Sequence, residues 1–546
     1  MGKRGIVNVL DNIWADNGLG GPLRPEVHYD GRRMLCFSER PATLTEMFDN
    51  LVARFPERPA IIENRTITYL ELDGLVRKIE ASLGRLNVAR GDRVALFLGN
   101  CWEFLACVLA SSMLGAIAVP FGTRQRKAEL TFLLNDSSAK ILVFECDLAD
   151  AVPAHEDTPT VIHRFSVRGT VFDARPFSDL LIANEDVGNA TDIRDEDVAV
   201  ILYTSGTTGR PKGAQLTHLG IIHSALTFAR CHGLTETDRG IVAVPLSHVT
   251  GLVGVALSTM IVGGCVVLMR QAYKTSDFLS IASQEKITYS ILVPTIYTLC
   301  VMSSELAAHD LSSWRVGCFG GAPMPVATIE MLAEKLPHLQ LLNAYGATET
   351  TSPSTIMPRT QWRGHFDSVG IAVPCGEIKV VDDEGREVPR GTAGELWIAG
   401  PMVVPGYWKR PDANQSEFVD GFWRSGDIGS MDSDGFVRVF DRKKDMINRG
   451  GFKVFSAEVE NVITSLEGIL ECAIVGRDDP VLGQRVHAIV VVPDRSTLTA
   501  HNIQQFCADR LADYKVPETV DLRTSPLPRN ANGKVLKSEL RESAHL

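Results

Sequence analysis

The residues best suited to chemistry are concentrated in Tyr203-Thr204-Ser205-Gly206-Thr207-Thr208-Gly209-Arg210-Pro211-Lys212-Gly213, where hydroxyls, glycines and two cations share one short loop. The loop follows directly on the apolar run Val198-Ala199-Val200-Ile201-Leu202, so a strand is expected to deliver it. Glycine lets backbone N–H groups approach an anion closely, and Ser and Thr hydroxyls add further donors. Lys212 and Arg210 add positive charge. This is the chemistry of a loop for nucleotide phosphates, with Thr204, Ser205, Gly206, Thr207, Thr208, Gly209 and Lys212 as its candidate contacts. It is not a Walker A loop, because the Gly-x-x-x-x-Gly-Lys-Ser/Thr spacing is absent.

Around this loop the pattern alternates between strand and helix. Leu44, Phe48, Leu51 and Phe55 mark an amphipathic helix. Val94–Leu98, Ala116–Pro120 and Ile141–Phe144 read as buried strands, and Phe104–Leu114 as an apolar helix. Such alternation predicts an α/β fold of parallel sheets covered by helices. Near Lys379 the texture becomes β-rich, and a charged run, Asp441-Arg442-Lys443-Lys444-Asp445, precedes a small α/β unit with strands at Cys472–Val475 and His487–Val492.

At 546 residues the chain exceeds one ordinary domain, and two or more are expected. A net charge of −11 argues against nucleic acid as a partner, while a local basic cluster can still hold an anionic ligand. The 11 cysteines show no Cys-x-x-Cys pair, zinc spacing or disulfide framework, so a cytoplasmic protein is expected. No signal peptide is expected: Gly5–Leu10 is too short an apolar region, and Asp11 interrupts it. Leu252–Met269 approaches the roughly 18 residues of a membrane span. Gly263-Gly264 divides it, so a buried helix, a turn and the strand Cys265–Met269 are expected, with no transmembrane segment.

Further motifs follow in a fixed order: Pro245-Leu246-Ser247-His248-Val249-Thr250-Gly251-Leu252, Asn343-Ala344-Tyr345-Gly346-Ala347-Thr348-Glu349-Thr350, Ser425-Gly426-Asp427, Asp441–Ile447, and Pro528-Arg529-Asn530-Ala531-Asn532-Gly533-Lys534. In this order they resemble the adenylate-forming superfamily of acyl-CoA synthetases, luciferases and peptide-synthetase adenylation domains. The resemblance is nearest to acyl- and aryl-CoA ligases, and it covers the chain from about residue 40 to about 538.

The resemblance implies an N-terminal extension (1–40), a large domain of two parallel-type sheets with a small β subdomain (41–440), and a mobile C-terminal α/β lid (441–546) hinged at Asp441. It implies ATP, Mg²⁺ and coenzyme A as cofactor and co-substrates. Tyr345 looks like the platform that stacks on adenine, with Gly321, Ala322, Pro323, Asn343, Ala344 and Gly346 around the nucleotide. Thr348 resembles an α-phosphate donor, and Glu349 the carboxylate that holds Mg²⁺, a hard cation with oxygen ligands. Asp427 resembles the acceptor of both ribose hydroxyls, and Arg442 a contact to ribose or phosphate. Lys534 resembles the lysine that bridges carboxylate and phosphate in the first step. His248 would stand between the acid pocket and the thiol tunnel. Val249, Thr250, Gly320, Ala344 and Ala347 would line the acid pocket; Gly450, Gly451 and Phe452 would line the tunnel.

The implied reaction joins a hydrophobic acid, medium-chain or ring-containing, to CoA through an acyl-adenylate, releasing AMP and pyrophosphate. Ser456 stands where many relatives have proline, and it can serve as N-cap of the helix that follows. Ser247 and Thr250 replace an aromatic pair usual in plant aryl-CoA ligases, which points to a roomier pocket. Three rival readings stay open: an acyl-AMP ligase loading a carrier protein, a luciferase-like oxygenase, and a binding protein that has lost catalysis. A small-molecule acid is the expected partner, and a homodimer is compatible with the sequence.

Overall fold

The continuous apolar runs become inner strands of two mainly parallel sheets, as expected for strands buried on both faces. The computed structural model describes residue 14 and residues 22–29, 31–182, 192–204, 211–322, 324–361, 364–529 and 535–544. These residues fall into two compact units: Met1–Ile378 with Trp397–Arg424 and Ser433–Val437, and Lys379–Leu396 with Ser425–Asp432 and Arg438–Leu546.

In the larger unit, one sheet has seven strands in the order Lys212–Thr217, Val198–Thr204, Ile117–Pro120, Arg93–Phe97, Ile141–Glu145, His163–Val167, Arg175–Pro176. All its pairs are parallel except the first. In that antiparallel pair Thr204 lies opposite Lys212, so the chain leaves for residues 205–211 and returns from them at one point. The helix Trp102–Met113 is buried on nearly every side, which explains its uniform apolarity. Thr43 caps the helix Leu44–Arg54 by accepting the Glu46 N–H, and Leu44, Met47, Phe48 and Leu51 turn inward.

A second sheet has nine strands in the order Ile371–Ala372, Thr355–Ile356, Gln340–Tyr345, Val316–Phe319, Tyr289–Leu292, Arg239–Val242, Cys265–Leu268, Pro59–Ile62, Thr66–Thr68. Its six central strands are parallel. The apolar stretch 252–269 divides as expected. A helix of π spacing, Thr250–Leu257, continues into Ser258–Met260, and the strand Cys265–Leu268 follows. Among the described residues no helix is long and apolar enough to cross a membrane.

The first residues hold a hairpin that the weak periodicity did not announce. Leu23–His28 pairs antiparallel with Arg32–Phe37. Cys36 and Phe37 at its end are fully buried, with Phe37 stacked on His223, and the Tyr29 hydroxyl lies 2.7 Å from Thr217 Oγ1. Just beyond it Arg40 donates to Asp195.

In the smaller unit, Phe452–Val454, Ile447–Arg449, Gly483–Val491 and Glu471–Asp479 form a sheet, with Thr519–Arg523 parallel to Gly483–Val491. The helices Ser456–Thr464 and Ala500–Ala508 bury Val459, Ile463, Ile503 and Cys507 in its core. Ser456 is not the N-cap. Phe455 holds that position, and Ser456 is the first helical residue. Its N–H donates to the Asp441 carboxylate, which does the capping from a distance in sequence.

Candidate active site

Ligands of open parallel sheets bind beyond the carboxyl ends of the strands. In the nine-stranded sheet those ends lead into Gly320–Ala322, Asn343–Glu349 and the His248–Thr250 segment. Phe319 pairs with Asn343, which sets Gly320 beside Ala344. A side chain at Gly320 would collide with the Ala344 carbonyl oxygen, so only glycine fits. Gly321 follows at φ +78°, and Ala322 is exposed. Asn343 Nδ2 donates to the Ser368 carbonyl at 3.1 Å. Tyr345, half-buried, ends the strand, and Ala347 leads into the short turn Thr348–Thr350. Thr350 Oγ1 accepts the Ala347 N–H at 3.0 Å. The chain then reverses through Thr351 and Ser352, both at positive φ. A Cβ on Gly346 would lie 3.1 Å from Pro353 Cα, a tight contact, so the chain's own reversal also favours a glycine there.

Glu349, 8% exposed, is the centre of a cluster that sequence reading did not foresee. Its Oε1 lies 3.3 Å from Thr204 Oγ1 and 3.0 Å from the Tyr407 hydroxyl. The same hydroxyl lies 2.8 Å from Glu417 Oε2. Lys212 Nζ is 2.6 Å from Glu417 Oε1 and 4.2 Å from the Tyr407 ring centroid. Burial and the two carboxylates push the Tyr407 phenol far above its usual range. Residues 406–408 reach this place by pairing with the strand after the loop: Trp408 N–H donates to the Gly213 carbonyl at 2.7 Å, and Gln215 N–H to the Gly406 carbonyl at 3.1 Å. Asp136 locks the same corner. It accepts from the Tyr203 hydroxyl at 2.7 Å and from Arg410 at 2.7 Å.

The His248 segment is held by Asn100. Asn100 Nδ2 donates to the carbonyls of Val242, Val244 and Met269, and its Oδ1 accepts the Leu246 N–H at 2.8 Å. Burial lowers the His248 pKa, which favours a neutral imidazole. Val249 is buried, and Thr250 opens the π-wound helix. A separate cleft beside Asn343 is lined by Phe319, Ile329, Leu341, Met357, His365, Phe366 and Ser368. It shares only Asn343 with the residues predicted from sequence.

In the smaller unit, Asp427 and Arg442 meet. Arg442 Nε is 2.6 Å from Asp427 Oδ1, and Asp427 is 3% exposed. Asp441, also buried, accepts the Arg442 N–H at 2.8 Å besides the Ser456 N–H. Gly450 (φ +59°) and Gly451 (φ +90°) form the two-residue loop of a hairpin in which Arg449 pairs with Phe452. Two positive φ values in succession are the geometry that favours Gly-Gly. Phe452 stacks on Tyr514 at 4.6 Å and remains 56% exposed.

Ser205, Gly206, Thr207, Thr208, Gly209, Pro323 and Lys534 lie outside the described residues. The ligand atoms of Glu26, His28 and Cys36 lie within 4.8 Å of one another. Arg24 at 2.7 Å, Arg40 at 2.8 Å and His28 at 2.9 Å occupy the Glu26 carboxylate, which makes this an ion-pair cluster.

The chain is similar in sequence and fold to known proteins. The AMP-binding enzyme family matches residues 48–408, and the AMP-binding enzyme C-terminal domain matches residues 458–534. The chain is 33% identical over 496 residues to the long-chain-fatty-acid–CoA ligase FadD13 of Mycobacterium tuberculosis, covering 89% of this chain and 95% of that protein. It is 34% identical over 475 residues to a feruloyl-CoA synthase of Amycolatopsis, covering 87% and 93%. Among solved structures, the o-succinylbenzoate CoA synthetase of Bacillus subtilis, in complex with its acyl-adenylate intermediate, matches with a TM-score of 0.81 at 30% identity over 92% of this chain and 98% of that one. The same enzyme with ATP and magnesium ion matches at 0.80. With most of its length covered by the family and by relatives above 30% identity, the chain belongs to the AMP-binding enzymes, among which it is an acid–thiol ligase.

Proposed function

We propose that this enzyme joins a hydrophobic carboxylic acid, medium-chain or ring-containing, to the thiol of coenzyme A, releasing AMP and pyrophosphate. The observation that carries this reading is the cluster of Thr204, Lys212 and Glu349 where the phosphate loop begins and ends. A carboxylate is a poor acyl donor, and its attack on another anion is repelled. The acid oxygen forms a bond to the α-phosphorus of ATP, and the bond to pyrophosphate breaks. Thr348 and the loop residues 204–209 would donate hydrogen bonds to the phosphates, and the Lys534 ammonium would offset the charge that develops on carboxylate and phosphate. The acyl-adenylate is a mixed anhydride. The CoA thiolate attacks its carbonyl, and AMP leaves. With a thiol pKa of about 8.5, a useful thiolate fraction exists near neutral pH without a strong base.

The residues present fit Mg²⁺. Glu349 offers a carboxylate, Thr204 and Thr348 offer hydroxyls, and the hydrogen bonds on Glu349 both fall on Oε1. When bound, Mg²⁺ supplies positive charge against the ATP phosphates. Asp427 would accept the ribose hydroxyls, Arg442 would contact ribose or phosphate, and Tyr345 would stack on adenine. Val249, Thr250, Gly320, Ala344 and Ala347 would line the acid pocket, with His248 at its border. We place the turn between the two steps at Asp441, with 41–440 binding ATP and acid, and Gly450, Gly451 and Phe452 lining the thiol path.

The test is AMP release across aliphatic, alicyclic and aryl acids, with thioester formed only when free CoA is present. Transfer to carrier-protein pantetheine in preference to CoA, or oxygen uptake with the adenylate, would sink the reading.

A further inference from the structure

A phenol carries one proton, yet the Tyr407 oxygen stands 3.0 Å from Glu349 Oε1 and 2.8 Å from Glu417 Oε2. It cannot donate fully to both carboxylates. Lys212 resolves the conflict: its ammonium, 2.6 Å from Glu417 Oε1, meets the charge of Glu417 and leaves the phenol proton for Glu349. The Lys212 ammonium also lies 4.2 Å from the Tyr407 ring centroid, so Glu417 and the ring together hold it in place. Both hydrogen bonds to the Glu349 carboxylate, from Thr204 and Tyr407, fall on Oε1. Among the described residues Oε2 has no hydrogen-bond or ion-pair partner. One oxygen is pinned and the other is presented.

We infer that Tyr407 and Glu417 are positioning residues for the metal–nucleotide complex: Tyr407 fixes Glu349 Oε1, Glu417 keeps Lys212 off Glu349, and Oε2 stays available to a divalent cation carried by ATP. The inference rests on the reading of Glu349 as the metal carboxylate. Partners of a metal-ligating carboxylate commonly change metal affinity when removed. Neither residue stands in the loop that sequence reading singles out, and Tyr407 is held beside that loop by the backbone bond from Trp408 to Gly213.

The experiment compares binding of Mn²⁺·ATP with binding of metal-free ATP in EDTA, by calorimetry, with neither acid nor CoA present. The ratio of the two affinities is the readout, because a general loss of structure weakens both alike. Tyr407→Phe is expected to lower that ratio about tenfold, and Glu417→Gln to lower it several-fold. An unchanged ratio in a folded Tyr407→Phe enzyme overturns the inference. If Tyr407→Phe does not fold, Glu417→Gln decides: an unchanged ratio there overturns the inference as well. Glu349→Gln separates the two levels. If it keeps the preference for Mn²⁺·ATP, the metal reading of Glu349 itself fails. If it loses the preference while Tyr407→Phe keeps it, only the positioning role fails.

Discussion

In the larger unit, Thr204, Lys212 and Glu349 stand in a lattice of side-chain bonds completed by Tyr407 and Glu417. In the smaller unit, Gly450 and Gly451 are shaped by backbone alone, as the loop of a two-residue hairpin. The larger unit therefore presets charged atoms at fixed separations, which is what stabilising charge on phosphates requires. The smaller unit offers a backbone turn and an exposed ring, Phe452, which belong to the proposed thiol path. The smaller unit has charged pairs of its own, among them Arg442 with the buried Asp427 and Arg449 with Glu518.

The largest effect that would sharpen this contrast is at Lys534. Lys534→Ala is expected to slow acyl-adenylate formation about 10²-fold or more, the loss of one transition-state donor. Thioester formation from supplied acyl-adenylate should survive much better. Equal losses in both half-reactions, measured separately, would remove the assigned role.

Acid should strike the larger unit harder. Burial lowers the pKa of His218 to about 4, and of His223 and His232 to about 3. These histidines are held neutral when folded, whereas the unfolded chain binds protons near pH 6.5. Stability is therefore lost as pH falls below about 6.5, by ~1.4 kcal/mol per histidine per pH unit. Among the described residues the smaller unit carries one such group, His487, also lowered by burial. Calorimetry from pH 7 to pH 5 should show the transition of the larger unit falling further than that of the smaller. Equal shifts would contradict the contrast.

Pocket substitutions come next. Thr250→Phe and Ala344→Leu should each raise KM for bulky acids by the equivalent of about 1–3 kcal/mol, the range for overpacking a filled site. KM for short acids and for ATP should barely move. Parallel changes in all three would show that neither residue lines the acid site.

The smallest expected effect is at Asp441. Asp441→Pro fixes φ and removes the carboxylate that accepts the Ser456 N–H. Adenylation should remain, while CoA transfer falls about tenfold, a barrier rise of ~1.4 kcal/mol. Asp441→Asn keeps backbone freedom and an acceptor oxygen, and should transfer at close to the wild-type rate. Normal transfer by the proline variant would move the turning point elsewhere.

Legibility followed local chemistry. The run Val94–Phe97 is uniformly buried as its apolarity implies, and Gly263-Gly264 breaks the apolar stretch where expected. The hairpin at Leu23–His28 escaped notice because charged residues such as Arg24, Glu26 and Arg32 interrupt any clean alternation, and its anchors Asp195, Glu196 and Thr217 lie far along the chain. Ser456 was misplaced by one position, because the acceptor at that helix start is the carboxylate of a residue 15 positions earlier.

The sequence by itself determined which groups could meet phosphates, because donors, glycines and cations that act on one anion can sit side by side in one loop. It determined the sheets as well, since strands buried on both faces must be apolar throughout. Only the tertiary structure decided what holds those groups in place. Tyr407 reaches Glu349 across 58 residues, Asn100 reaches Leu246 across 146, and Lys212 reaches Glu417 across 205. Tyr407, Asn100 and Glu417 each read as an ordinary surface or core residue in isolation. The contacts exist because strand order and register bring distant segments to one corner, and neither is written in local composition.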